Sequence, residues 1–178
     1  MYQKIYIVGP VGSGKSTLAR RISKITGIPC YHLDNVVHTP DPSSRWGNRK
    51  RPEAQRDTLF HRILSARRYI IEDTGRPCFA MGLEEADVVL SLEYPPPLRQ
   101  TRILLRWVRQ NLGMEPCQYR PNLRMLRYMF RWAKQYDTGA DGTKARIAGY
   151  PEKTVILQNN QELETFLLSL RLSRLQGL

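Results

Sequence analysis

Acidic residues are scarce in this chain. Its 178 residues hold 16 Asp and Glu against 28 Lys and Arg, a formal net charge of +12. Such a balance points to anionic partners, either small substrates or nucleic acid, or serves solubility alone. The three cysteines, Cys30, Cys78 and Cys117, stand far apart and form no C-x-x-C pair. No zinc site or disulfide framework is expected, and the thiols fit a reduced, cytoplasmic setting. No apolar run reaches the length of a transmembrane helix, so no membrane partner is expected. The first hydrophobic segment begins at residue 5 and predicts no signal peptide ahead of it. Helix-turn-helix and zinc-finger patterns are lacking. What remains is an ordinary globular composition, 41% hydrophobic and 25% charged, over a length that predicts one domain, residues 1–178.

The chain is organised around Gly9-Pro10-Val11-Gly12-Ser13-Gly14-Lys15-Ser16-Thr17. This stretch fits G-x-x-x-x-G-K-S/T, the phosphate-binding P-loop. Ile5-Tyr6-Ile7-Val8 before it reads as a buried strand, and apolar residues at 18, 22 and 25 after it have helical spacing. Strand, glycine loop and helix are the context the motif needs. Gly9 permits the turn, and Gly12 and Gly14 let backbone N–H groups approach phosphate oxygens. Lys15 can bridge the terminal phosphates of a bound nucleotide, and the Ser16 hydroxyl is placed to ligate Mg²⁺. No N-K-x-D guanine motif and no L-S-G-G-Q signature accompany the loop.

Four further strands follow, at about 30–33, 69–72, 87–92 and 154–157, alternating with helices. The pattern predicts a three-layer α/β sandwich with a parallel sheet. Ligands in such folds bind beyond the carboxyl ends of the strands. Asp34, at the end of the second strand, therefore faces the P-loop rim. It can accept a proton from a substrate hydroxyl, hold a substrate amine or touch the Mg²⁺ water shell; the alternative is an Asx turn capping the next segment. Residues 38–52 read as a loop or flap in which Arg45, Arg49, Lys50 and Arg51 either meet an anionic substrate or are merely solvated. The helix after Pro52 directs Ala54, Leu59, Ile63 and Leu64 to the core. Glu72 closes the third strand as a Walker-B acid would, orienting Mg²⁺ through water, and is preferred to Asp73 for that role. Arg76 lies on the same rim.

Arginines recur at 99, 102, 106 and 109 and again at 120, 124, 127 and 131. These spacings put each set on one face of a helix, roughly 97–112 and 122–135. From Arg99 to Lys134 there are nine basic residues and one acid, Glu115. Either these are solvated faces or their inner ends meet phosphates. Trp107, Tyr128, Phe130 and Trp132 are packing residues or stack on a base. Residues 136–151 read as loop, and Asn159 and Asn160 follow the fifth strand where a base could be held.

The chain resembles the adenylate-kinase-like group of P-loop kinases and, within it, the topology modulation proteins. The resemblance rests on G-P-V-G-S-G-K-S-T-L-A at 9–19, L-D-N-V-V-H at 33–38, Y-I-I-E at 69–72, the proline- and arginine-rich helix at 95–109, and V-I-L-Q-N-N-Q-E-L at 155–163. It implies strand order 2-3-1-4-5, a helical lid at about 113–150, and ATP and Mg²⁺ as cofactors. It implies that Arg76, which with the strand-end acid Glu72 matches the spacing acid-x-x-x-Arg, contributes to an acceptor phosphate, and that Arg120, Arg124 and Arg127 clamp the transferring phosphoryl group. Asp73 departs from the glycine found there in adenylate kinases, and the T-G-D acceptor signature is absent, which puts AMP in doubt as the acceptor. Three functions follow: transfer of the γ-phosphoryl of ATP to an anionic small acceptor, with Asp34 at the acceptor hydroxyl; an ATP-binding regulator or ATPase whose arginine helices bind nucleic acid; or nucleotide binding with little turnover.

Overall fold

A computed structural model describes residues 2–176. Five strands form one parallel sheet: β1 (Lys4–Val8), β2 (Cys30–His32), β5 (Tyr69–Asp73), β6 (Val88–Leu92) and β7 (Thr154–Leu157). Their spatial order, β2-β5-β1-β6-β7, is the expected order 2-3-1-4-5. The central strands are near-continuous apolar runs because both faces of the sheet are covered. Ile5, Ile7, Ile70, Val88, Leu90 and Leu92 pack with Leu18 and Ile22 of α1 (Lys15–Thr26) and with Leu163, Leu167 and Leu170 of α8 (Asn160–Gln176). The alternate residues Tyr6, Val8, Ile71 and Val89 point to the opposite face. There they meet Phe60, Ile63 and Leu64 of α3 (Glu53–Leu64) and Leu83 of α4 (Ala80–Glu85). This period of two divides the core into two layers around the sheet.

Three local readings change. Residues 38–52 are not a plain loop: β3 (His38–Pro40) and β4 (Asn48–Lys50) pair as an antiparallel hairpin, turning through Gly47 at φ 78°. The strands are only three residues long and carry little apolar alternation, so no periodicity marks them. Residues 136–151 contain a short helix, α7 (Thr143–Ala148), between Gly142 and Gly149. Ala54 is exposed, and Phe60 takes the core position on α3.

Beyond the carboxyl edge of the sheet, α5 (Pro96–Asn111) and α6 (Leu123–Asp137) cross over the P-loop. Ile103, Met125, Met129 and Ala133 form a small third core with Val11, Trp46, Tyr119, Leu126 and Phe130. The three cysteine thiols are free. No described helix is long and apolar enough to cross a membrane.

Candidate functional site

The loop from β1 to α1 owes its shape to glycine. Gly9, Gly12 and Gly14 have φ of 151°, 80° and 97°. A Cβ on Gly12 would lie 2.7 Å from the Arg99 carbonyl oxygen and 2.9 Å from Ile103 Cγ1, whereas at Gly14 the nearest atom would be 3.8 Å away. Gly12 is thus needed for close packing on α5, and Gly14 for its backbone angle alone. α1 begins at Lys15 with no side-chain cap and no acid in its first turn. Its first amides lack a side-chain acceptor, and the helix dipole adds to them. Ser13 Oγ is buried without a hydrogen-bond partner among the described residues. An uncapped N-terminus beside an unsatisfied hydroxyl fits a phosphate group.

Pro10 and Val11 make the crown of the loop. The Pro10 carbonyl accepts from Lys15 Nζ at 2.9 Å, and Val11 packs against the third core. Burial lowers the Lys15 pKa, against the opposing pull of Glu72, Asp34 and Asp73. Arg102 Nη1 donates to the Ser13 carbonyl at 3.1 Å, and its guanidinium lies 4.5 Å from the centre of the Tyr94 ring. Thr17 is exposed in the first turn of α1.

The rim beside the loop is built from charged side chains. Glu72, in β5, is buried; its Oε1 accepts from Ser16 Oγ at 2.9 Å and from His32 Nδ1 at 2.8 Å. Burial opposes ionisation of Glu72, but the His32 hydrogen bond and the Lys15 charge outweigh it and hold its pKa low. Asp73 is still inside β5, and its side chain is fully buried. Its Oδ2 accepts from the amides of Gly75 at 2.8 Å and Arg76 at 2.6 Å, and more weakly from the Tyr6 hydroxyl at 3.5 Å. Its Oδ1 accepts from Arg76 Nη1, and Arg76 Nη2 donates to Asp34 Oδ1.

β2 ends at His32, and Asp34 opens the short helix α2 (Asp34–Val37) rather than closing the strand. Its carboxylate holds Arg76 and makes no cap to the helix. The Asp34 side chain is 61% exposed. Desolvation by the surrounding chain works against its ionisation, but Arg76, with Lys15 and His38, keeps its pKa below the usual carboxylate range. Asp34, Glu72, Arg76 and Lys15 thus meet on one rim.

The arginine stripes do not act as uniform faces. Arg99 is 2% exposed, with Nε on the Tyr94 carbonyl at 2.7 Å and Nη2 on Asp137. Arg102 turns to the P-loop, Arg106 pairs with Glu115 at 3.3 Å, and Arg131 lies over the Tyr128 ring. Arg120 Nη2 donates to the Pro42 carbonyl at 2.7 Å, and its amide donates to the Trp46 carbonyl at 2.8 Å. Asn48 Nδ2 donates to the Gln118 carbonyl at 3.0 Å, so the β3–β4 hairpin is tied to the segment before α6. Arg124 and Arg127 are exposed and make no hydrogen bond or ion pair among the described residues. Arg51 braces the carbonyls of Val36 and Asn35. Trp46 and Trp132 each pack on Tyr128, and Phe130 packs on the third core. Asn159 is tied to the first turn of α8: its Oδ1 accepts from the Glu162 amide at 2.9 Å, while Asn160 accepts from the Tyr94 hydroxyl.

Two parts of this site lay outside the sequence expectations. His32 shows only as a residue of a short strand, and its bond to Glu72 spans 40 positions. Thr143 and Arg146 of α7 hold the turn after β5: Thr143 Oγ1 donates to the Thr74 carbonyl at 3.2 Å, and Arg146 Nη2 to the Gly75 carbonyl at 2.6 Å.

No protein family matches the sequence, and no curated protein matches it. The fold is shared with solved P-loop kinases. A shikimate kinase from Acinetobacter baumannii in complex with shikimate superposes with a TM-score of 0.57 at 18% identity, over 97% of this chain and 94% of that one. A shikimate kinase from Bacteroides thetaiotaomicron gives a TM-score of 0.57 at 13% identity, over the whole of both chains. At these identities the likeness is one of fold.

Proposed function

We propose that the protein moves the γ-phosphoryl of ATP to a small acceptor, a nucleotide or a hydroxylated metabolite. One observation carries this: the P-loop lysine, the Ser16–Glu72 pair and the Asp34–Arg76 pair converge on a single rim, where simple ATP storage would need only the loop. The residues present suit Mg²⁺. The Ser16 hydroxyl donates its hydrogen bond to Glu72, which leaves the hydroxyl lone pairs for the cation, and Glu72 can hold a water of its shell. When bound, Mg²⁺ neutralises charge on the β- and γ-phosphate oxygens. Residues 9–17 hold the phosphates, Lys15 offsets charge developing in transfer, and Asp34 takes the proton of an acceptor hydroxyl.

In this reading residues 1–178 are one kinase-like domain in a cytoplasmic setting, and 113–150 form its lid. Arg124 and Arg127, which have no hydrogen-bond or ion-pair partner among the described residues, turn to the transferring group; Arg120 reaches it on leaving Pro42. The kinship with topology modulation proteins rests on L-D-N-V-V-H at 33–38 and its companion stretches. The nucleic-acid alternative is less well supported, because Arg99, Arg102, Arg106 and Arg131 are engaged within the chain.

The test is ADP formation with Mg²⁺ against a panel of nucleoside monophosphates, nucleosides and hydroxylated metabolites. Acceptor-dependent turnover that falls by about 100-fold or more in Lys15→Ala is the expected result. ATP binding with no acceptor-dependent turnover on a broad panel would overturn the reading.

A further inference from the structure

Arg76 stands where an acceptor phosphate would be met, yet its guanidinium is already held. Asp73 takes Nη1 and Asp34 takes Nη2. Asp73 cannot swing away easily: its side chain is buried, and Oδ2 fastens the turn through the Gly75 and Arg76 amides. From the other side, α7 clamps the same turn through the Thr74 and Gly75 carbonyls. Two carboxylates around one guanidinium leave this triad with a net negative charge, while the neighbouring Lys15 is held by the Pro10 carbonyl and Arg146 by the Gly75 carbonyl. A phosphate monoester, carrying close to two negative charges near neutral pH, would face Asp34 and Asp73 with only one shared arginine.

We infer that Asp73 is a specificity-determining residue: it makes Arg76 a brace for the Asp34 carboxylate instead of an anion receptor, so the acceptor oxygen is an alcohol hydroxyl and not a phosphate oxygen. This rests on the phosphotransfer reading and narrows it. The chemistry agrees. An alcohol must lose a proton as it is phosphorylated, whereas a phosphate oxygen has none to lose once ionised. In the step, the acceptor oxygen bonds to the γ-phosphorus and the bond from that phosphorus to the β–γ bridging oxygen breaks. The bridging electron pair leaves with ADP, and the hydroxyl proton passes to an Asp34 carboxylate oxygen. Asp34 is exposed enough to take it and is fixed by Arg76.

The experiment uses the full chain, a non-hydrolysable ATP analogue with Mg²⁺, and nucleoside 5′-monophosphates beside their parent nucleosides. Calorimetry reads binding; phosphorus NMR with ATP in place of the analogue reads products. Wild type is expected to bind each monophosphate no better than its nucleoside and to form no nucleoside diphosphate from it. Asp73→Asn keeps an oxygen for the turn amides but turns an amide toward Arg76. It is expected to bind monophosphates about tenfold more tightly than wild type, a shift of roughly 1.4 kcal/mol. Arg76→Gln removes a charge but no phosphate contact, so monophosphate affinity is expected to fall by no more than about threefold, and this arm stands even if Asp73→Asn fails to fold by circular dichroism. Nucleoside diphosphate formation by wild type, a monophosphate affinity that drops by more than about threefold in Arg76→Gln, or a folded Asp73→Asn with no gain would each overturn the inference. Wild type that binds no ATP analogue sinks the phosphotransfer reading itself, and the inference with it.

Discussion

The two halves of the proposed phosphotransfer site, one for nucleotide and one for acceptor, are made of different material. The nucleotide half is backbone: glycines at positive φ, an uncapped helix end and a carbonyl that parks Lys15. The acceptor half is side chain: Asp34, Arg76 and Asp73 hold one another, and Glu72 is held by Ser16 and His32. A backbone site is fixed by local geometry and has little freedom to vary. A side-chain site is set by which charges the tertiary fold brings together, so a single residue such as Asp73 can change what it accepts.

The largest effect is expected where the backbone half is broken. Gly12→Ala must hold φ near 80° and bring a methyl to 2.7 Å from the Arg99 carbonyl. Strain and overpacking together should cost about 2–4 kcal/mol in urea unfolding, with loss of ATP binding. Gly14→Ala meets the same kind of backbone angle in open space, so about 1 kcal/mol is expected for it. Equal losses at the two positions would mean that contact with α5 does not matter.

This contrast also sets what could be read from the sequence. The P-loop, the alternating strands and the order 2-3-1-4-5 were legible because they are written in local motifs and apolar periodicity. Glu72 was legible because it follows a hydrophobic run. The partners of the rim were not: Asp34 to Arg76 and His32 to Glu72 join residues 42 and 40 positions apart. The arginine spacing gave the two helices, but Arg120 lies ahead of α6 and not on its face, and the spacing could not tell buried Arg99 from exposed Arg127, since the difference lies in Asp137 and the Tyr94 carbonyl waiting across the fold. The β3–β4 hairpin was missed because its strands are short and polar, and α7 because six residues between glycines carry no useful period.

A smaller effect is expected at the clamp on the acceptor turn. A Cβ at Gly75 would lie 2.3 Å from Thr143 Cγ2, with φ at 91°. Gly75→Ala should lose about 2 kcal/mol of stability. Thr143→Ala removes the clashing methyl, so the double variant should recover about 1 kcal/mol, a coupling that a double-mutant cycle in urea would measure. Strict additivity would show that α7 does not press on the turn, and would loosen the case for a rigid acceptor half.

The smallest expected effect probes the seam between the halves. His32 Nδ1 and Ser16 Oγ share Glu72 Oε1; since an ionised carboxylate only accepts, His32 carries its proton on Nδ1. His32→Phe removes that donor, leaving Glu72 freer to rotate and Ser16 less well aimed. Groups that orient a metal site from behind commonly change affinity by tenfold or more, so Mn²⁺ binding to the ADP complex, read by electron paramagnetic resonance, should weaken about tenfold. His32→Asn can return a donor amide and should restore most of the affinity, whereas a packing role would leave Asn no better than Phe. Unchanged Mn²⁺ affinity in His32→Phe would assign the metal site to the P-loop alone, and the two halves would meet only through their substrates.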